Sequence, residues 1–155
     1  MLLQVSGLHA GYGAKEVIHG VDIEVGEREV VAVLGHNGAG KSTLMRMLSG
    51  EEQPDSGECS VGHNVVPQYF AQDEATRMDP NPTVHDTLSS GSPMHMVPMI
   101  RNILGGFLFS GDDIHKRVRV LSGGERTRLA VARMLLHPSN TLLLDEPTKI
   151  GRAHV

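Results

Sequence analysis

A three-layer α/β architecture is the fold this sequence predicts, and three observations predict it. Residues 2–25 alternate apolar and polar side chains. A continuous apolar run at residues 29–34 leads into a glycine loop and then into helical spacing. A second apolar run, TLLL at residues 141–144, follows a segment of strong helical periodicity. Strand, loop, helix and strand in that order require helices packed on a largely parallel sheet.

Each element has its own signal. Val21, Ile23 and Val25 share one face of a strand while Asp22 and Glu24 take the other, the pattern of a half-buried antiparallel sheet. The run EVVAVL at residues 29–34 is β-branched and uninterrupted, which suits a strand covered on both faces. In TLMRMLSG, Leu44, Met47 and Leu48 recur at helical spacing, and Gly50 stands at the C-cap. Residues 51–64, rich in Pro, Gly, Asp and Ser, read as loops around a short strand, and residues 65–72 as a further strand running into a polar turn.

Between residues 73 and 120 the β signals fade. Met94, Met96, Met99, Ile100, Ile103 and Leu104 indicate short helices broken by Pro98 and by Gly105 and Gly106, a small helical subdomain. Its methionine stripe reads as core or as a yielding contact surface. SGGERTRLAVARMLL is a long helix, HPSN a turn, and residues 142–144 a second buried strand.

Composition narrows the class. The chain has 155 residues, 39% hydrophobic and 21% charged, so a single globular domain is expected. Fourteen basic against 18 acidic residues give a formal charge of -4, which argues against a surface that coats nucleic acid throughout. Cys59 is the only cysteine, so no internal disulfide forms and a reduced, cytoplasmic setting is expected. No run reaches the roughly 18 apolar residues of a membrane span, and the N-terminus lacks the pattern of a signal peptide.

Three motifs carry chemistry. Gly35, His36, Asn37, Gly38, Ala39, Gly40, Lys41 and Ser42 satisfy G-x-x-x-x-G-K-[ST], with the required strand-like run before and helix after. In such a loop, backbone N–H groups curl around a phosphate, the helix dipole assists, Lys41 pairs with β- and γ-phosphate oxygens, and Ser42 offers its hydroxyl to magnesium. Asp145 and Glu146 end the second apolar run, at the edge where α/β sheets bind ligands. Asp145 suits a magnesium ion, and Glu146 the orientation or deprotonation of an attacking water. Leu121, Ser122, Gly123, Gly124 and Glu125 open the long helix, where Ser122 and Glu125 have capping-box spacing and the two glycines leave N–H groups accessible to an anion.

In this order and spacing, the three motifs resemble the nucleotide-binding domain of ABC ATPases. The resemblance covers residues 1–148 and implies an α/β P-loop NTPase fold. That fold has an N-terminal antiparallel β subdomain, a RecA-like parallel core and a helical signature subdomain at roughly residues 73–135. It implies binding of ATP and Mg2+ by residues 35–43, Thr43 included, and contact of residues 121–125 with the ATP of an opposing cassette. It also gives Tyr12, between Gly11 and Gly13, the role of stacking on adenine, although a lone tyrosine equally suits a core. Gln72 in YFAQ takes the role of magnesium ligand in preference to nearby Gln68.

LSGGERTRLAVARMLL with LLLDEPT, the YFAQ segment and GFLFSGDDIHKRV look most like the second cassette of the ABC-F class. Members of that class are tandem cassettes without membrane domains that act on the ribosome in translation or antibiotic resistance. The resemblance thus implies a second cassette and the ribosome as partners, with no direct membrane insertion. An ATPase subunit of a membrane transporter shares all three motifs, and a fragment that binds ATP without turnover is the other alternative. After Thr148 the sequence departs from the class, reading KIGRAHV where Asn-His-Leu-Asp is usual. Residues 150–155 back-translate to the body of a short-read sequencing adapter, with Lys149 straddling the junction. Residues 149–155 are therefore expected to be a non-native tail on a C-terminally incomplete cassette.

Overall fold

The computed structural model describes residues 1–36 and 38–146. The expectations for Asn37 and for the tail at residues 149–155 lie outside the described residues. The chain divides into two compact units, one of Met1–Tyr69 with Ser139–Asp145, the other of Phe70–Pro138 with residue 146.

The first unit is built on an antiparallel sheet of β1 (Leu3–Tyr12), β2 (Lys15–Val25) and β3 (Ser56–Val61), in the order β2-β1-β3. β1 pairs with β2 from Leu3↔Val25 to Tyr12↔Lys15, leaving Gly13 and Ala14 as the turn, with Gly13 at φ 62. Tight hairpins favour a positive φ at that first turn position, which glycine adopts without steric cost. Leu3, Val5, Leu8, Ala10 and Ile18 face inward and meet Leu44, Met47 and Leu48 of helix α1 (Lys41–Ser49), with Leu143 completing the cluster. Gly50 ends α1 at φ 82, its N–H bonded to the carbonyls of Arg46 and Met47, the left-handed cap that the sequence predicts. Cys59 is half-buried against this cluster, and burial pushes its thiol pKa up.

β4 (Pro67–Phe70) and β5 (Thr141–Leu144) form a second sheet. Their entrances lie side by side: Asn140 donates its backbone N–H to the Val66 carbonyl at 3.2 Å and accepts from Val66 N–H at 2.8 Å. At the other end, Tyr69 hydroxyl reaches Asp145. The two strands therefore run parallel. β5 packs on α1, which places the helix between the antiparallel sheet and the parallel pair.

Two expectations need correction. Residues 29–34 form no strand, and among the described residues no strand pairs with them. Val33 turns toward the core, but Val30 is 94% and Leu34 91% exposed. Each exposed side chain forgoes roughly 1.5–3 kcal/mol of burial. An apolar run reports a tendency to be buried, whereas a strand also needs neighbours for its N–H and C=O groups. β5, likewise, is not buried on both faces: Leu143 is buried and Leu142 is 46% exposed, and among the described residues β4 is the one strand paired with it.

The second unit is helical. It holds α2 (Glu74–Arg77), α3 (Val84–Ser89), α4 (Ile100–Gly106) and α5 (Gly123–Leu136), with 3-10 turns at Met94–Met99, Gly111–His115 and Val118–Val120. α5 packs on α2, α3 and α4, and Val84, Leu88, Ile100, Leu104, Val118, Leu121 and Leu129 are buried. Pro98 lies within the first 3-10 turn, directly before α4. The methionine stripe divides: Ile100 and Leu104 are core, whereas Met94 and Met99 are exposed at 90% and 50%.

Candidate nucleotide site

The phosphate loop enters α1 through two left-handed glycines, Gly38 at φ 85 and Gly40 at φ 84. Residues with a Cβ adopt this region at a cost of about 1 kcal/mol or more. At Gly40 a Cβ would also stand 2.8 Å from Val17 Cγ1 and 3.1 Å from the Val17 carbonyl, so a side chain there would force β2 to shift. Gly40 is the N-cap of α1, and among the described residues no side chain caps the helix. The first turn therefore begins with the backbone donors of Lys41, Ser42 and Thr43 and the positive end of the helix dipole. Lys41 Nζ donates to the carbonyls of Gly35 and His36, the latter at 2.9 Å, which holds the ammonium over its own loop. Gly35, His36, Gly38 and Ala39 are exposed, while Thr43 is buried.

Tyr12 stands at the end of β1, beside this turn. Its hydroxyl lies 3.3 Å from Thr43 Oγ1, and its side chain is 56% exposed. The core alternative for Tyr12 is thus set aside by its exposure. Asp55 steadies the hairpin tip, accepting from Gly11 N–H at 2.8 Å while its own N–H donates to the His9 carbonyl at 3.0 Å.

Asp145, at the end of β5, is 4% exposed and accepts a long bond of 3.4 Å from Tyr69 hydroxyl. Burial, with the negative charge of Asp145 as the second cause, pushes the Tyr69 phenol pKa up to about 12. A buried carboxylate is a hard oxygen donor of the kind magnesium takes. Glu146 follows at φ 51, a left-handed conformation that costs a residue with a side chain about 1–3 kcal/mol and is typical of functional positions. Gln68 is engaged by Ser139, whose hydroxyl donates to Gln68 Oε1 at 3.0 Å; Gln72 is exposed in the turn after β4.

Residues 121–125 lie in the helical unit. The Ser122 hydroxyl accepts from Glu125 N–H at 3.2 Å, and the Glu125 carboxylate accepts from Ser122 N–H at 2.7 Å. The capping box is therefore formed, with Gly123 and Gly124 between its partners and Leu121 buried beneath. The structure thus gathers Tyr12, the glycine loop, Lys41, Ser42, Thr43 and Asp145 in one unit, and Gln72, residues 121–125 and Glu146 in the other. Sequence reasoning missed Arg46, Glu52, Asp55 and Tyr69. A separate open cleft of about 360 Å3, lined by His9, Gly13, Glu16, Asp55 and neighbouring residues, includes none of the loop residues.

The donor set fits magnesium ATP: a glycine cradle that excludes a Cβ, an uncapped helix entrance, an ammonium, two hydroxyls and a buried carboxylate. Residues 18–149 match the family model described as ABC transporter. The energy-dependent translational throttle protein EttA of Haemophilus influenzae is 42% identical over 151 residues, covering 95% of this chain and 27% of its own length. ABC transporter F family member 2 of Arabidopsis thaliana is 37% identical over 148 residues, again covering 95% of this chain but 22% of its own. The chain thus spans about a quarter of the length of these curated relatives. A dimeric ATP-binding cassette, solved in a post-hydrolysis state with ADP and Pi, superposes with a TM-score of 0.77 over 95% of this chain and 75% of its own, at 18% identity, which establishes the fold. No helix among the described residues is long and apolar enough to cross a membrane. With the glycine loop, the capped SGGE turn and the DE pair each seated on a cassette fold, the chain belongs to the ABC transporter family and resembles members of its F class.

Proposed function

We propose that this cassette binds ATP with Mg2+ and hydrolyses it, facing a second cassette, within a cytoplasmic ABC-F type factor that acts on the ribosome. The observation that carries the reading is the uncapped entrance of α1, with left-handed Gly38 and Gly40 leading into Lys41. The backbone N–H groups there and the Lys41 ammonium would hold the β- and γ-phosphates, and Tyr12 would stack on the base. Ser42, Asp145 and Gln72 would hold the magnesium ion, whose charge neutralises the phosphates and the charge that develops on them. Glu146 would orient the attacking water and take its proton.

The capped turn at residues 121–125 would serve an ATP held by the opposing cassette, through the N–H groups of Gly123 and Gly124. A cassette with such an element is complete only in a facing pair, and the dimeric state of the structural neighbour is in keeping with that. The similarity to a protein named for translational throttling favours the ribosome over a membrane partner.

Glu146→Gln in the full-length protein tests both levels. Hydrolysis should fall by about 100-fold or more while ATP binding persists, and the variant should co-sediment with ribosomes in an ATP-dependent manner. Undiminished hydrolysis would refute the role of Glu146. ATP binding without ribosome association would refute the partner and leave the ATPase reading intact.

A further inference from the structure

Tyr12 presents a difficulty for any role in stacking. Its side chain is 56% exposed at a hairpin tip, so packing alone does not fix the plane of its ring. An unrestrained side chain loses conformational entropy when a ligand immobilises it. The structure answers with a polar clamp on the phenol. Arg46 donates from a terminal guanidinium nitrogen to Tyr12 hydroxyl at 2.9 Å, and that hydroxyl in turn donates to Glu52 Oε2 at 3.2 Å.

The clamp originates in the left-handed turn at Gly50. Ending α1 at φ 82, that glycine folds the chain back so that the N–H groups of Glu51 and Glu52 bond to the Arg46 carbonyl at 2.9 and 3.2 Å. Glu52 is thereby returned to the side chain of the residue whose carbonyl it caps. Arg46 Nε then stands 2.6 Å from Glu52 Oε1, an ion pair that holds the guanidinium in place. With Nε turned to Glu52, the terminal nitrogen is the one that reaches the phenol. Both charged side chains are about one-third exposed, at 35% and 33%, and the hydrogen bond from Arg46 to Tyr12, followed by the charge of Glu52, raises the guanidinium pKa further above its ordinary value.

We infer that Arg46 and Glu52 are positioning residues that hold the Tyr12 ring in the orientation in which it receives a nucleotide base. This rests on the nucleotide reading proposed above for Tyr12. The same hydroxyl lies 3.3 Å from Thr43 Oγ1, at the first turn of α1. Neither Arg46 nor Glu52 touches the reacting atoms in this account. Their effect is on nucleotides that carry a base, and on those alone.

Isothermal titration of the full-length protein with ATP and with inorganic tripolyphosphate separates the possibilities. Tyr12→Ala should weaken ATP by roughly ten-fold, and Tyr12→Phe, Arg46→Met and Glu52→Gln by about five-fold each. All four should leave tripolyphosphate binding unchanged. Arg46→Lys, which keeps the charge and one donor, should recover part of the loss. If Tyr12→Ala weakens ATP while Tyr12→Phe and the Arg46 and Glu52 variants bind it like the parent, the clamp is refuted and the stacking role survives. If Tyr12→Ala discriminates between the two ligands no more than the parent does, the base reading fails and the clamp with it. Equal losses for ATP and tripolyphosphate in the Arg46 variants would refute positioning in favour of general damage to α1.

Discussion

The two helix entrances of this molecule solve the same problem in opposite ways. α5 begins with its own side chains in place: Ser122 and Glu125 exchange bonds of 3.2 and 2.7 Å and satisfy two backbone donors reciprocally. α1 begins with glycine at φ 84 and, among the described residues, no side-chain cap. A Ser, Thr or Asp cap stabilises a helix by about 1 kcal/mol, but Gly40 stands at φ 84 with a Cβ position 2.8 Å from Val17 Cγ1, so a side chain there would be strained. The difference shows where local stability yields to a ligand seat. On the proposed reading both entrances meet phosphate, but α5 settles two of its donors with its own side chains, whereas α1 leaves its first turn to the ligand.

Lys41→Ala is the sharpest way to test this contrast. Removing the ammonium should weaken ATP by about 100-fold, the scale of a charge-assisted bond to phosphate. Because the amine's hydrogen bonds among the described residues go to its own loop, thermal stability should change by less than about 0.5 kcal/mol. Calorimetric binding and thermal melting on the same variant check both halves, and a large drop in stability would mean that the loop is built for the fold.

Ser122→Ala should behave in the reverse sense. Loss of the cap should cost about 1 kcal/mol and lower the melting temperature by a few degrees, leaving the affinity of the loop for ATP unchanged. Melting that matches the parent would deny the box its structural role.

The smallest effect concerns Tyr69, whose phenol pKa is raised to about 12 by burial and then by Asp145. The folded state favours the neutral phenol. The associated stability is fully present below the ordinary phenol value of about 10 and is lost as pH rises through about 12. Circular dichroism along an alkaline titration should show this loss, and Tyr69→Phe should flatten it.

Much of this could be read from the residues alone, and the parts that could not share a cause. The β1–β2 hairpin, the Gly50 cap and the Ser122 box are local: each is written within a few neighbours by alternation, by a glycine or by a three-residue spacing. Residues 29–34 misled because hydrophobic content predicts burial without naming a pairing partner. The Arg46 clamp joins residues 34 and 40 positions apart, and Tyr69 meets Asp145 across 76. Such contacts depend on how strands and turns return the chain. A six-residue interval from Arg46 to Glu52 around Gly50 was the one local hint.

Amide resonances followed through a titration with magnesium ATP test the central claim most directly. If the open entrance of α1 is the phosphate seat, the N–H signals of Gly38, Gly40, Lys41, Ser42 and Thr43 should shift together and saturate at one ligand concentration. If those five signals stay in place while ATP binds, the seat lies elsewhere and the account of the two entrances is wrong.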